Sequence, residues 1–123
     1  MRILIVEDDP GEGDTLRKIL SDLGHRTQFV MDGETALVVA PKFQPHAVII
    51  DIGLPGMQGH DLTRQIKALE GGENITIVVL SGWGREEDFE RSRAVGVDCH
   101  LVKPLDLKLL KAALGRHPAA SAD

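Results

Sequence analysis

The chain has 123 residues, 42% of them hydrophobic, enough for one domain whose core needs no covalent staple. A net charge of −5, with 3% aromatic residues and no tyrosine, excludes the basic, base-stacking surface of a general nucleic-acid binder. The lone cysteine, Cys99, excludes an intrachain disulfide, and no apolar run has membrane-spanning length or signal-peptide character, so a cytoplasmic protein that engages neither nucleic acid nor membrane is expected.

Ile3-Leu4-Ile5-Val6 is a continuous apolar run, the pattern of a strand buried on both faces, and it leads straight into Glu7-Asp8-Asp9. Leu16, Ile19, Leu20 and Leu23 then mark one face of a helix stopped at Gly24. Its start is weak, because Gly11 and Gly13 each cost about 1 kcal/mol against Ala in a helix interior. Thr27-Gln28-Phe29-Val30 reads as a short strand polar enough for a sheet edge. A turn at Asp32-Gly33 opens a helix over 34–40, which Pro41 should end or kink by removing a backbone donor.

Ala47-Val48-Ile49-Ile50 is the central strand. It ends on Asp51, and the Gly/Pro-rich turn Ile52-Gly53-Leu54-Pro55-Gly56 follows. Ligands in open α/β sheets sit beyond the carboxyl ends of strands, which is where Asp51 falls. Leu62, Ile66 and Leu69 predict a helix over 60–69, and residues 75–80 predict a fourth strand closing on Ser81-Gly82. The charged segment 85–95 has Phe89 and Val95 as its main apolar anchors and reads as a poorly held helix. Cys99-His100-Leu101-Val102 is a fifth strand running into Lys103-Pro104. Asp106 can cap a last helix carrying Leu107, Leu110 and Leu114. Residues 1–117 thus form one unit, and 118–123 are expected to be a disordered tail. Alternation with short connections implies right-handed crossovers: a doubly wound α/β domain with a five-stranded parallel sheet and five helices.

In such a sheet the strand ends share one edge, which gathers Glu7, Asp8, Asp51, Ser81 and Lys103 into a single cleft. Clustered carboxylates suit a hard divalent cation, Mg²⁺ or Mn²⁺. With that charge offset, Asp51 can act as a nucleophile toward a phosphoryl group, giving an aspartyl phosphate. Ser81 and Lys103 would hold the phosphoryl oxygens as a hydroxyl donor and a charge.

Taken together in this order, Ile3–Pro10, Asp51 with Leu54-Pro55-Gly56-Met57 and Gly59, Leu80-Ser81-Gly82 and Leu101-Val102-Lys103-Pro104 resemble the receiver domain of two-component response regulators over essentially the whole chain. The resemblance implies a flavodoxin-like strand order of 2-1-3-4-5 and a phosphoacceptor at Asp51. It implies that Asp8, Asp51 and the Gly53 carbonyl bind the metal directly, with Glu7 acting through a metal-bound water. Ser81 matches the phosphate-sensing hydroxyl, Lys103 the family's lysine, and a cis Lys103-Pro104 bond is expected. The implied phosphodonor is a phosphohistidine of a histidine kinase or a histidine phosphotransfer protein. The output would pass to a downstream protein of unknown identity, from a monomer or weak dimer that assists its own phosphorylation and dephosphorylation.

Some positions depart from that pattern. His100 stands where the family places an aromatic switch residue, and Glu12 stands on the donor-docking helix where many members are apolar. Asp9 fits a helix cap better than a third ligand. Trp83 is bulky and close to the site. The phrases Ser81-Gly82-Trp83-Gly84 and His100-Leu101-Val102-Lys103-Pro104 look most like receivers of hybrid histidine kinases. The chain is read either as such a receiver or as a single-domain regulator, with no output domain expected. Three alternatives stay open. A flavin or nucleotide binder is disfavoured by the acidic first turn. An aspartyl-nucleophile phosphohydrolase lacks its second Asp, where Gly53 stands. The third is a receiver-like module that takes no phosphate. Whether Mg²⁺ and a small phosphodonor modify Asp51 separates them all.

Overall fold

A computed structural model of the chain describes residues 1–51, 59–82 and 86–122. In order these form β1 (Arg2–Val6), α1 (Pro10–Asp22), β2 (Arg26–Val30), α2 (Gly33–Phe43), β3 (Ala47–Asp51), α3 (Gly59–Lys67), a 3₁₀ turn (Gly72–Asn74), β4 (Thr76–Ser81), α4 (Glu86–Val95), β5 (Cys99–Val102) and α5 (Leu107–Leu114). The segment expected as a tail forms a 3₁₀ turn, Pro118–Ala122, whose Ala119 N–H donates to His117 Nδ1 at 3.0 Å. No helix among the described residues is long and apolar enough to cross a membrane.

The sheet is parallel throughout, in the order β2-β1-β3-β4-β5. Strand alternation divides the apolar residues between its two faces. Leu4, Val6, Val48, Ile50, Ile77 and Val79 pack with Ala36 and Ala40 of α2 and with Leu62 and Ile66 of α3. Ile3, Ile5, Ile49, Val78 and Leu80 pack against Leu16 and Leu20 of α1 and Leu110 and Leu114 of α5. Each fully buried Ile or Leu contributes about 1.5–3 kcal/mol, so the three central strands hold the scaffold on which the strand ends are mounted.

Local chemistry explains where the elements begin and end. The glycine-weakened start of α1 is offset by Asp9, whose carboxylate accepts from the Gly11 and Glu12 backbone N–H groups at 2.8 and 3.0 Å. Asp32 and Asp106 cap α2 and α5 in the same way. The expected break at Pro41 does not occur: α2 continues to Phe43 and closes on left-handed Gln44 (φ 52°). The Pro41 ring is exposed, and the last turn still closes through the Gln44 N–H to Ala40 at 2.8 Å, so the helix forgoes one bond near its end.

The opposite, amino-terminal edge of the sheet is clasped by one carboxylate. Asp98 Oδ2 accepts from the Ile77 N–H at 2.7 Å and from Lys67 Nζ at 3.3 Å, and Lys67 Nζ also donates to the Ile75 carbonyl at 2.6 Å. The Val97 N–H donates to the Ser92 carbonyl at 3.0 Å, and Arg116 donates to the Asp98 carbonyl at 3.2 Å. The C-terminal ends of α3 and α4 and the segment after α5 are therefore tied to β4 at one point.

Gly13, a liability by helix propensity, is required by its neighbour. A Cβ there would lie 2.1 Å from the Phe29 ring, far inside contact distance. Gly13→Ala should therefore lower stability by about 1–3 kcal/mol, opposite to the gain of about 1 kcal/mol expected at an open helix position. In a double-mutant cycle followed by urea denaturation, Phe29→Ala should absorb most of that loss; additive effects would show that the ring is not the cause.

Candidate functional site

The carboxyl ends of β1, β3, β4 and β5 meet at one edge, as the parallel sheet requires. β1 delivers Glu7, which is only 5% exposed, with its backbone N–H on the Val30 carbonyl at 3.1 Å and one carboxylate oxygen accepting from the Asp9 N–H at 3.1 Å. Asp8 beside it is exposed, and Asp51 at the end of β3 is half-buried. One carboxylate oxygen from each of Glu7, Asp8 and Asp51 lies within 4.8 Å of the others, a donor set of the hard-oxygen kind that divalent cations such as Mg²⁺ take. The Gly53 carbonyl, expected as a further ligand, lies outside the described residues, as do Leu54, Pro55, Gly56, Met57 and Trp83.

β5 delivers the one cation placed at this cluster among the described residues. Lys103 Nζ is 3.2 Å from Asp51 Oδ2, 3.4 Å from Glu12 and 3.9 Å from Glu7. Its backbone N–H donates to the Ser81 carbonyl at 2.7 Å, and the Lys103-Pro104 peptide is cis, as expected. Glu12 thus has a partner at the site, where the sequence showed only a departure on a docking surface. An open groove of about 460 Å³ runs from this cluster between α1 and the segment leading into α5, past Leu16, Pro104 and Leu107.

The electrostatics follow from burial. Desolvation, reinforced by a hydrogen bond and charge repulsion from Asp51, pushes the Glu7 carboxyl up from 4.5 to about 8. Burial alone would lower Lys103, but its hydrogen bond and attraction to Asp51, with Glu7 and Glu12 beyond, raise it above an ordinary lysine. The site is a concentration of negative charge that one lysine offsets in part.

Ser81 and His100 are brought together directly. Ser81, 1% exposed, has its Oγ 2.7 Å from His100 Nε2. The His100 ring meets the Phe89 ring edge-on, with centroids 4.6 Å apart. Two further residues that the sequence did not single out join this pair. Ser92 Oγ of α4, also 1% exposed, lies 2.8 Å from His100 Nδ1, and His60 Nε2 of α3 lies 2.9 Å from the same Ser92 oxygen. Helix α4, expected to be poorly held, therefore has a buried polar anchor besides its apolar ones. A lone serine in a charged helix and a histidine at a helix start carry no pattern that would have revealed it.

Glu7 yields a pH prediction. Its carboxyl holds a proton up to about 8 in the folded chain but only to 4.5 once unfolded, so between those values the folded state binds more protons. Stability of the metal-free protein should accordingly fall as pH rises across that window, visible as a melting temperature several degrees lower at its upper end. Glu7→Gln should flatten the slope, and saturating Mg²⁺ should offset it by binding the deprotonated cluster. An unchanged slope in Glu7→Gln would assign the titration to another group.

Comparison with known proteins identifies the family. Residues 3–115 match the response regulator receiver domain family. The chain is 28% identical over 116 residues to sporulation initiation phosphotransferase F of Bacillus subtilis, covering 94% of this chain and 92% of that protein. It is 33% identical over 117 residues to chemotaxis protein CheY-3 of Vibrio cholerae, covering 94% and 90%. Among solved structures, the receiver domain of a sensor histidine kinase from Pseudomonas aeruginosa, crystallised with a magnesium ion coordinated in its active-site cleft, superposes with a TM-score of 0.84 at 32% identity, covering 94% of this chain and 95% of that one. The family match runs almost from end to end and takes in every strand whose carboxyl end supplies a residue to the acidic cleft: the chain belongs to the response regulator receiver domain family of two-component signalling.

Proposed function

We propose that this receiver accepts a phosphoryl group on Asp51 from a phosphohistidine of a histidine kinase or histidine phosphotransfer protein. The observation that carries the proposal is the cluster itself: three carboxylates with oxygens within 4.8 Å of one another, and Lys103 paired to Asp51. A half-buried carboxylate beside a lysine is poised as an acceptor once the surrounding negative charge is offset. Asp8 and Asp51 would hold a Mg²⁺ ion directly, with Glu7 acting through a water on the ion and the Gly53 carbonyl as a further ligand. When bound, that ion supplies the positive charge that lets an anionic phosphoryl group approach. The magnesium-bound relative from Pseudomonas aeruginosa supports the same metal here.

In the transfer, an Asp51 carboxylate oxygen forms a bond to phosphorus as the phosphorus–nitrogen bond to the donor imidazole breaks, and the imidazole leaves with the electron pair and takes up a proton. Lys103 remains paired with the new phosphoryl oxygens, and Ser81 supplies a hydroxyl to them. The same groups assist the later attack of water that removes the phosphoryl group. The groove between α1 and the segment entering α5 is where the donor docks, with Glu12 and Lys103 on its wall. The resulting change at Ser81 and His100 alters the surface read by a downstream protein.

The test is chemical. Mg²⁺ with acetyl phosphate should add one hydroxylamine-labile phosphoryl group, detected by mass spectrometry of the intact chain, and Asp51→Asn should abolish it. Chelation of Mg²⁺ should reduce the rate by at least about 100-fold, the scale of losing an electrostatic stabiliser at a reacting centre. Modification that survives Asp51→Asn would overturn the assignment.

A further inference from the structure

Ser81, His100, Ser92 and His60 form one continuous chain of hydrogen bonds running from the end of β4, through β5 and α4, to the start of α3, with links of 2.7, 2.8 and 2.9 Å. Each internal member constrains the next. A serine hydroxyl has one proton, so Ser92 can donate to at most one of the two imidazole nitrogens beside it and, where it does, accepts from the other. A neutral imidazole has one N–H, so His100 must likewise donate at one ring nitrogen and accept at the other.

Two arrangements run all three links the same way, and these give the chain two directions. In one, Ser81 donates to His100 Nε2, His100 Nδ1–H donates to Ser92, and Ser92 donates to His60 Nε2. In the other, His60 Nε2–H donates to Ser92, Ser92 donates to His100 Nδ1, and His100 Nε2–H donates to Ser81. Conversion of the first into the second moves one proton across each link toward His60, with one proton gained at Ser81 and one lost at His60 Nδ1, so that each member keeps the number of protons it began with. Only in the second direction does Ser81 accept from His100 and aim its own proton elsewhere.

We propose that Ser92 and His60 are positioning residues for the phosphoryl group on Asp51, setting through His100 the direction in which Ser81 donates. The inference rests on the reading of Ser81 as the hydroxyl that meets that group. A phosphoryl oxygen is an acceptor, so it selects the second direction, and the selection is transmitted to His60 on α3 as a proton on Nε2. The burial of Ser92 favours this coupling, because its hydroxyl is screened from solvent and held between the two rings.

The experiment uses the full chain with ¹⁵N-labelled histidine, Mg²⁺ and beryllofluoride as the phosphoryl mimic. Imidazole NMR reports which ring nitrogen is protonated, and ¹⁹F NMR reports binding of the mimic. In the bound form His100 and His60 should both be protonated at Nε2. Ser92→Ala should disconnect His60 from the mimic and weaken beryllofluoride binding by about 3- to 10-fold, the range for one lost hydrogen bond, and Ser92→Thr should restore both. Bound mimic with an unprotonated His60 Nε2 in the wild type would overturn the inference, as would wild-type affinity in Ser92→Ala. Should Ser92→Ala fail to fold, the wild-type tautomers decide alone. If neither beryllofluoride nor acetyl phosphate engages Asp51, the functional reading itself falls and this inference falls with it; engagement without the tautomer pattern overturns the inference only.

Discussion

Glu7 and Asp51 lie close together at the end of adjacent strands, with the Lys103 ammonium near both, and much else in the molecule is arranged around that contact. Two carboxylates cannot share a partly dry corner without a proton, a cation or both to offset them. The raised Glu7 carboxyl is the proton's share and Lys103 is part of the cation's. Because the lysine sits on β5 while the carboxylates sit on β1 and β3, the electrostatic balance spans most of the width of the sheet. Any species that brings new charge to this corner must therefore compete with or recruit Lys103.

The fold supplies that corner by strand alternation. Successive residues of β1, β3 and β4 alternate between two packed faces, so both sides of the sheet are fixed by apolar burial. A slip of one residue in any of these strands would send aliphatic side chains into the wrong layer and would also displace Glu7, Asp51 or Ser81 from the edge. The same burial that stabilises the domain thus fixes the register of the site.

Much of this was legible in the sequence. Four apolar runs each ending on a polar residue placed Glu7, Asp51, Ser81 and Lys103 at one edge, because strand direction follows from short connections. Asp9 was recognisable as a cap because a carboxylate before Pro10 has a defined backbone use. What could not be read depended on contacts between distant segments. Gly13 looks like a flaw until the Phe29 ring is seen against it. Pro41 looks like a helix stop until its ring is seen facing solvent near a helix end. Ser92 and His60 are 32 residues apart and come together only because α3 and α4 pack side by side.

The clasp at Asp98 has a mechanical consequence. It fixes the C-terminal end of α4 to the amino-terminal edge of β4, through a carboxylate that also holds Lys67 of α3. The same helix is held again along its inner face, where Ser92 bonds His100 and the Phe89 ring lies edge-on against that imidazole. α4 is thus a brace between neighbouring strands, fastened to β4 at its C-terminal end and to β5 along its length.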